Sequence, residues 1–210
     1  MAIAINGSTN VITGLSAGGL PDGCILDADI NGMTASKLTG ALPAISGANL
    51  TGISGGKVLQ VLQTVKTDTF SESVSSGSES AVVTGLTVSI TASSASNKIL
   101  LLYQVVGSRE CSFIAIDKDG SIMTNAIGDA SGSIGRVTAA GDYTNNVRYQ
   151  NTIPVIFLDT PGDTNAHTYG VRLRHSSSST QTIYLNRQDT TNNGSNSGAI
   201  STITAMEIAA

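Results

Sequence analysis

The sequence predicts an all-β protein made of two unlike parts, a Gly-rich extended stalk over residues 1–56 and a β-sandwich head over residues 57–210. Three observations carry this reading. Every aromatic residue and every Arg falls after Gly56. Before that point a large aliphatic, one small polar residue and Gly recur as a unit; after it, apolar residues alternate with polar ones at period two, as on a half-buried strand.

The stalk unit appears as Ile5-Asn6-Gly7, Ile12-Thr13-Gly14, Ile30-Asn31-Gly32, Leu38-Thr39-Gly40, Ile45-Ser46-Gly47 and Leu50-Thr51-Gly52. Its last four glycines are spaced 8, 7 and 5 apart, too irregular for a strict solenoid. Each unit reads as a short extended piece closed by a turn in which Gly accepts positive φ. One aliphatic per unit cannot exclude water in a single chain, and a flexible linker would omit large apolar residues. The expectation is an ordered stalk of three parallel copies, with Ile30, Leu38, Leu42, Ile45, Leu50 and Ile53 packed around a common axis.

In the head, Leu86, Val88 and Ile90 alternate with Thr87 and Ser89, and Tyr169, Val171 and Leu173 with Gly170, Arg172 and Arg174. Ile99 to Val106 and Pro154 to Leu158 are unbroken apolar runs, expected of strands covered on both faces. Turn clusters separate these runs, among them Asp117-Lys118-Asp119-Gly120, a hairpin turn with Gly in the left-handed region, and Pro161-Gly162-Asp163. Roughly eight to ten short strands at this spacing mean a sandwich or barrel. Val58, Leu59, Val61, Leu62 and Val65 have helical spacing, but Gly55-Gly56 before them and the Thr-rich stretch after them favour a strand.

Composition narrows the function classes. Charged residues make up 12% of the 210 residues, against roughly 25% in ordinary soluble domains, and the net charge is −4. No basic stripe of the kind that displaces counterions from nucleic acid is present. Neither a signal peptide nor a run of about 18 apolar residues occurs, so folding in a cytoplasm without membrane insertion is expected. Cys24 and Cys111 are too few for a disulfide framework and are expected to be reduced.

Motif matches fail on context. Gly14-Leu15-Ser16-Ala17-Gly18 has the letters of a nucleophile elbow, but Gly19-Leu20-Pro21 cannot start the helix it requires. Asp27-Ala28-Asp29-Ile30-Asn31-Gly32 copies the first half of a calcium loop, yet Leu38 stands where the bidentate acid belongs, and a solvated turn is the simpler reading. Lys57 lacks the Gly and Ser or Thr of a phosphate loop. His167, His175 and the two Cys are too scattered for a metal site, so no metal or cofactor is expected. Asp142, Asp159, Asp163 and Asp189 are the carboxylates open to glycosidase chemistry, although each sits in or beside a turn signal. A surface cluster is the better candidate. Pairing of the strand carrying Arg172, Arg174 and His175 with that carrying Tyr184 and Arg187 would gather groups suited to acidic or sugar ligands, or to acidic partners at a subunit contact.

The strings ASKLTGALPAISGANLTGI, KVLQVLQTVKTDTF, LTVSITASSASNKILL and ISTITAMEIAA together resemble fibre and tail-fibre proteins of tailed bacteriophages, particularly those of cyanobacteria and marine bacteria. The resemblance covers most of the chain and is densest at residues 35–103 and 153–210. It implies a homotrimeric virion component, assembled in the host cytoplasm, whose N-terminus attaches to other virion proteins of the baseplate, tail or capsid. It further implies a jelly-roll-like head facing outward toward a host glycan or protein, and it carries over no catalytic residues. An architectural decoration protein without a receptor and a polysaccharide depolymerase are the alternatives. Under the trimeric-stalk reading, alanine at Leu38, Ile45 and Leu50 together should weaken assembly, and light scattering of the variant should show a smaller particle than the parent.

Overall fold

The computed structural model describes residues 4–6, 11–13, 57–108, 111–141, 149–189 and 197–210. The expected stalk contacts Ile30, Leu38, Leu42, Ile45, Leu50 and Ile53, the Asp27, Asp29 and Asn31 turn, and Cys24 lie outside the described residues. The chain divides into two units, Met1–Ile53 and Ser54–Ala210. In the first, β1 (Ala4–Asn6) and β2 (Val11–Thr13) form an antiparallel ladder in which Ile5 and Ile12, the aliphatics of two successive repeat units, are register partners.

The second unit is all-β among its described residues, with a single 3-10 turn at Thr124–Ala126. Its strands are β3 (Val58–Lys66), β4 (Phe70–Val74), β5 (Val88–Thr91), β6 (Lys98–Ser108), β7 (Phe113–Lys118), β8 (Ser121–Ile122), β9 (Ala139–Ala140), β10 (Gln150–Asp159), β11 (Ala166–Arg174), β12 (Gln181–Leu185) and β13 (Ser201–Ile208). They form two antiparallel sheets packed as a sandwich. In one, β3, β13, β6 and β10 lie side by side, and β12 and β4 continue the sheet from Gly107 of β6. In the other, β5, β11 and β7 lie side by side, and β8 and β9 share the far edge of β7. Ten of the strands pair as a nested set: β3 with β13, β4 with β12, β5 with β11, β6 with β10, and β7 with β8. The chain thus behaves as one long hairpin whose pairs are shared between the two sheets, the outer two and β6–β10 in one, β5–β11 and β7–β8 in the other.

Local chemistry explains the landmarks. The β7–β8 turn puts both Asp119 (φ 54) and Gly120 (φ 84) in the left-handed region, the geometry that lets a two-residue hairpin follow strand twist. Pro154 lies in β10, whose ladder runs to β6 alone, and Pro is tolerated on such an edge because it has no N–H to give. The Val58–Val65 segment is a strand, as its flanking residues favour. Its apolar residues break the period-two rule because they occupy both faces, Val61 and Val65 on one and Leu62 on the other.

The core lies between the sheets. Ile99, Leu101, Tyr103 and Val105 of β6 meet Ile114 and Ile116 of β7 and Tyr169, Val171 and Leu173 of β11, all buried. Leu86, Val88 and Ile90 are buried as their alternation predicts. The expectation of cover on both faces of Ile99 to Val106 and Pro154 to Leu158 needs correction. Within one chain the inner face is covered, whereas Ile156 and Leu158 of the outer face stand 74% and 47% exposed. Cys111 is a buried free thiol, and burial pushes its pKa up to about 12, which keeps it protonated at neutral pH.

The acidic and basic side chains buried among the described residues, Lys66, Asp117, Asp159, His175 and Glu207, are paired. Glu207 of β13 is 1% exposed. Its carboxylate accepts hydrogen bonds from the Ser93 backbone N–H and hydroxyl (both 2.6 Å), Asn97 Nδ2 (2.7 Å) and Gln60 Nε2 (2.7 Å). Burial by itself would raise its pKa; these donors outweigh that and bring it from 4.5 to about 2. The group therefore stabilises the fold fully above its unfolded pKa, and the contribution fades as pH falls from about 4.5 towards 2. Glu207→Ala leaves several donors unsatisfied and should cost about 3 kcal/mol in urea unfolding at pH 7, with a smaller difference from the parent at pH 3.

Candidate interaction surface

Strand alternation decides what the β3, β13, β6 and β10 sheet shows to the outside. Because Ile99, Leu101, Tyr103 and Val105 point into the core, Leu100, Leu102 and Gln104 point out. Cross-strand register then sets these side chains in rows. Val61, Met206, Leu100 and Leu158 form one row, and Gln63, Thr204, Leu102 and Ile156 the next. Val65, Thr202, Gln104 and Pro154 form a third. At one end Lys98 lies opposite Ile208, and it is the one charged side chain among the outward positions of these rows.

Four strands about 4.8 Å apart and eight residues about 3.3 Å apart give a flat footprint of roughly 500 Å². Gln63, Thr204, Thr202 and Gln104 interrupt its apolar part, and the whole footprint is more than half of the roughly 800 Å² each partner buries in a stable complex. Val61 is 53% exposed and Val65 45%, so the open apolar side chains run across the sheet from β3 to β10. Sequence reading treated the mixed periodicity of Val58–Val65 as an ambiguity between strand and helix. It was the signal of this surface, since an edge strand apolar on both faces calls for cover on both.

The candidate ligand cluster is divided. Arg172, Arg174 and His175 belong to β11 and its end, while Tyr184 and Arg187 belong to β12 and its end, and these strands lie in different sheets. The Ser176 to Ser179 segment is a crossover between sheets, and the hairpin that would have gathered all five groups does not form. Arg172 Nε donates to Asp117 Oδ2 (2.7 Å) and its Nη2 to the Gly120 carbonyl (2.8 Å), so it braces the β7–β8 turn. Arg187 lies over the Tyr184 ring, 4.5 Å from its centroid, and donates to the Gln188 and Asp189 carbonyls. His175 is buried, donating from Nε2 to the Val74 carbonyl (2.8 Å) and accepting the Ser177 N–H at Nδ1 (3.1 Å), which fixes its tautomer. Arg174 pairs with Glu79 at 2.9 Å, within the chain rather than across a subunit contact.

The carboxylates open to acid–base chemistry are engaged too. Asp159, buried, accepts from Tyr169 Oη (2.6 Å) and Lys118 Nζ (2.8 Å). His167 bridges Asp119 Oδ2 (2.6 Å) and Asp163 Oδ1 (3.0 Å), tying the β7–β8 turn to the β10–β11 loop. Burial tends to raise the pKa of Asp119, but the Thr168 N–H and His167 prevail and lower it; at Asp163 the Asn165 N–H, with His167, does the same. Asp142 lies outside the described residues. His167→Phe should remove the bridge and lower the melting temperature at pH 7 by a few degrees. No protein-family model matches this chain, and no curated protein matches it.

Proposed function

We propose that this chain is a structural subunit of a virion fibre: a homotrimer attached to the particle through its N-terminal segment, with the β-sandwich head turned toward a host-surface glycan or protein. The observation that carries the reading is the largely apolar outer face of the β3, β13, β6 and β10 sheet, whose one charge, Lys98, stands at its end. A face with a single charge at its end offers little to nucleic acid or an anionic surface. Brought against copies of itself, its three rows of side chains bring no like charges together, and each fully covered aliphatic contributes about 1.5–3 kcal/mol. A second and a third copy of this chain are therefore the occupants we assign to it. The Gly-punctuated aliphatics of the N-terminal segment, which one chain cannot bury, support the same self-association.

The nested pairing of the head supports the reading further. First strand with last, second with second-last and so inward is the pattern of a jelly roll, a fold shared by viral capsid and lectin domains. That likeness is one of fold and carries no function by itself. Three heads on one stalk would convert weak single-site binding into firm attachment through avidity.

Light scattering of the full chain should give three times the chain mass. Lysine at both Leu102 and Ile156, each outward on the sheet, should yield a folded monomer or a markedly looser assembly. A parent protein that is monomeric at micromolar concentration, or a double variant of unchanged mass, would overturn the assignment of this face.

A further inference from the structure

We infer that a cavity of about 520 Å³ on the β11 side of the head is a binding site for a neutral saccharide unit. Its volume lies within the range of small-molecule sites. Arg174 and Phe113 are register partners on β11 and β7, so both side chains stand on the outer face of their sheet, one beside the other. Both line the cavity, with Ile134 and Val137 adding apolar wall and Ser133, Ser176 and Ser177 adding hydroxyls. An apolar wall next to a fan of donors and acceptors suits a sugar ring, which has a C–H face for the wall and equatorial hydroxyls for the polar groups.

The donors are held in place before any ligand arrives. Arg174 is 18% exposed at its side chain, and among the described residues only its Nη1 is engaged, by Glu79. Nε–H and Nη2–H therefore remain for a ligand. Gly135 lies against the guanidinium, where a Cβ would collide with Cζ and Nη2, so any other residue there would push the Arg174 head group from this position. On the opposite rim, His175 anchors the Ser177 N–H, and Gln181 Nε2 donates to the Ser177 hydroxyl at 3.1 Å. Such fixed groups lose little freedom on binding.

Charge sets the class of sugar. The Arg174 guanidinium already faces the Glu79 carboxylate at 2.9 Å, so a ligand carboxylate would have to displace Glu79 or sit beside it. Neutral hydroxyls meet no such competition. The inference rests on the reading that the head meets a host surface, and it names what that head would grip.

The test is calorimetric titration of the full-length protein, its mass checked by light scattering in the same preparation, with neutral glucose- and galactose-based oligosaccharides and with a galacturonate series. The expected result is saturable binding of at least one neutral series, weakened tenfold or more by Arg174→Gln and by Ser176→Trp, with melting temperature and mass unchanged. Ser176 is exposed, so the bulky variant fills the cavity without touching the core and keeps the test valid should Arg174→Gln fail to fold. Absence of binding to either series by an intact trimer, preference for galacturonate, or undiminished binding by Ser176→Trp would overturn the site while leaving the assembly reading standing. A monomeric mass would instead count against the fibre reading, whatever the sugar result.

Discussion

The constraint on which this structure turns is that a strand has two faces and each apolar face must find cover. In β6 the inner face finds it against β7 and β11, with Ile99, Leu101, Tyr103 and Val105 buried in the sandwich core. The same strand carries Leu100 and Leu102 on the other side, its neighbours β3, β13 and β10 add Val61, Met206 and Ile156 there, and among the described residues no layer lies over them. An apolar run such as Ile99 to Val106 expresses a demand for two layers. One chain supplies the first.

The rest of the head can be seen as keeping that sheet in register. Pairing on both edges of β6 leaves no freedom for a one-residue slip, which would turn every core residue outward. At the rims, buried charges serve as fasteners between segments distant in sequence. Glu207 ties the last strand to the loop before β6, Asp159 holds Lys118 and Tyr169, and Arg172 holds Asp117. These groups are costly to bury singly and are tolerated because each is met by several donors or by an opposite charge. These charged groups thus serve the fold, whereas Arg174 lines a cavity while its Nη1 alone is held by Glu79 among the described residues.

Much of the fold was legible in the sequence. Alternation identified β5 and β11, the Asp119-Gly120 hairpin was readable from its dipeptide, and the strand at Val58–Lys66 followed from its flanks. What periodicity could not supply was partnership. The short Ser-rich segment after Arg174 reads equally well as a hairpin turn or as a crossover between sheets, because local residues specify a bend and not its destination. That ambiguity alone scattered the expected Arg and Tyr cluster over two sheets. Phe113 and Gly135 were missed as companions of Arg174 for the same reason, since they are joined to it only by long-range register and by a loop folding back. Confinement of the aromatics to one side of Gly56 marks a change of composition, and the expected stalk contacts fall outside the described residues.

The central claim is that copies of this chain cover the outer face of the β3, β13, β6 and β10 sheet. Hydroxyl-radical footprinting of the assembled full-length protein tests it directly, because a single chain leaves Ile156 74% and Ile134 70% exposed, on different surfaces. The account expects Ile134 to be labelled heavily and Ile156 to be protected. Equal labelling of the two would mean that the face is open to water in the native protein, and would contradict it.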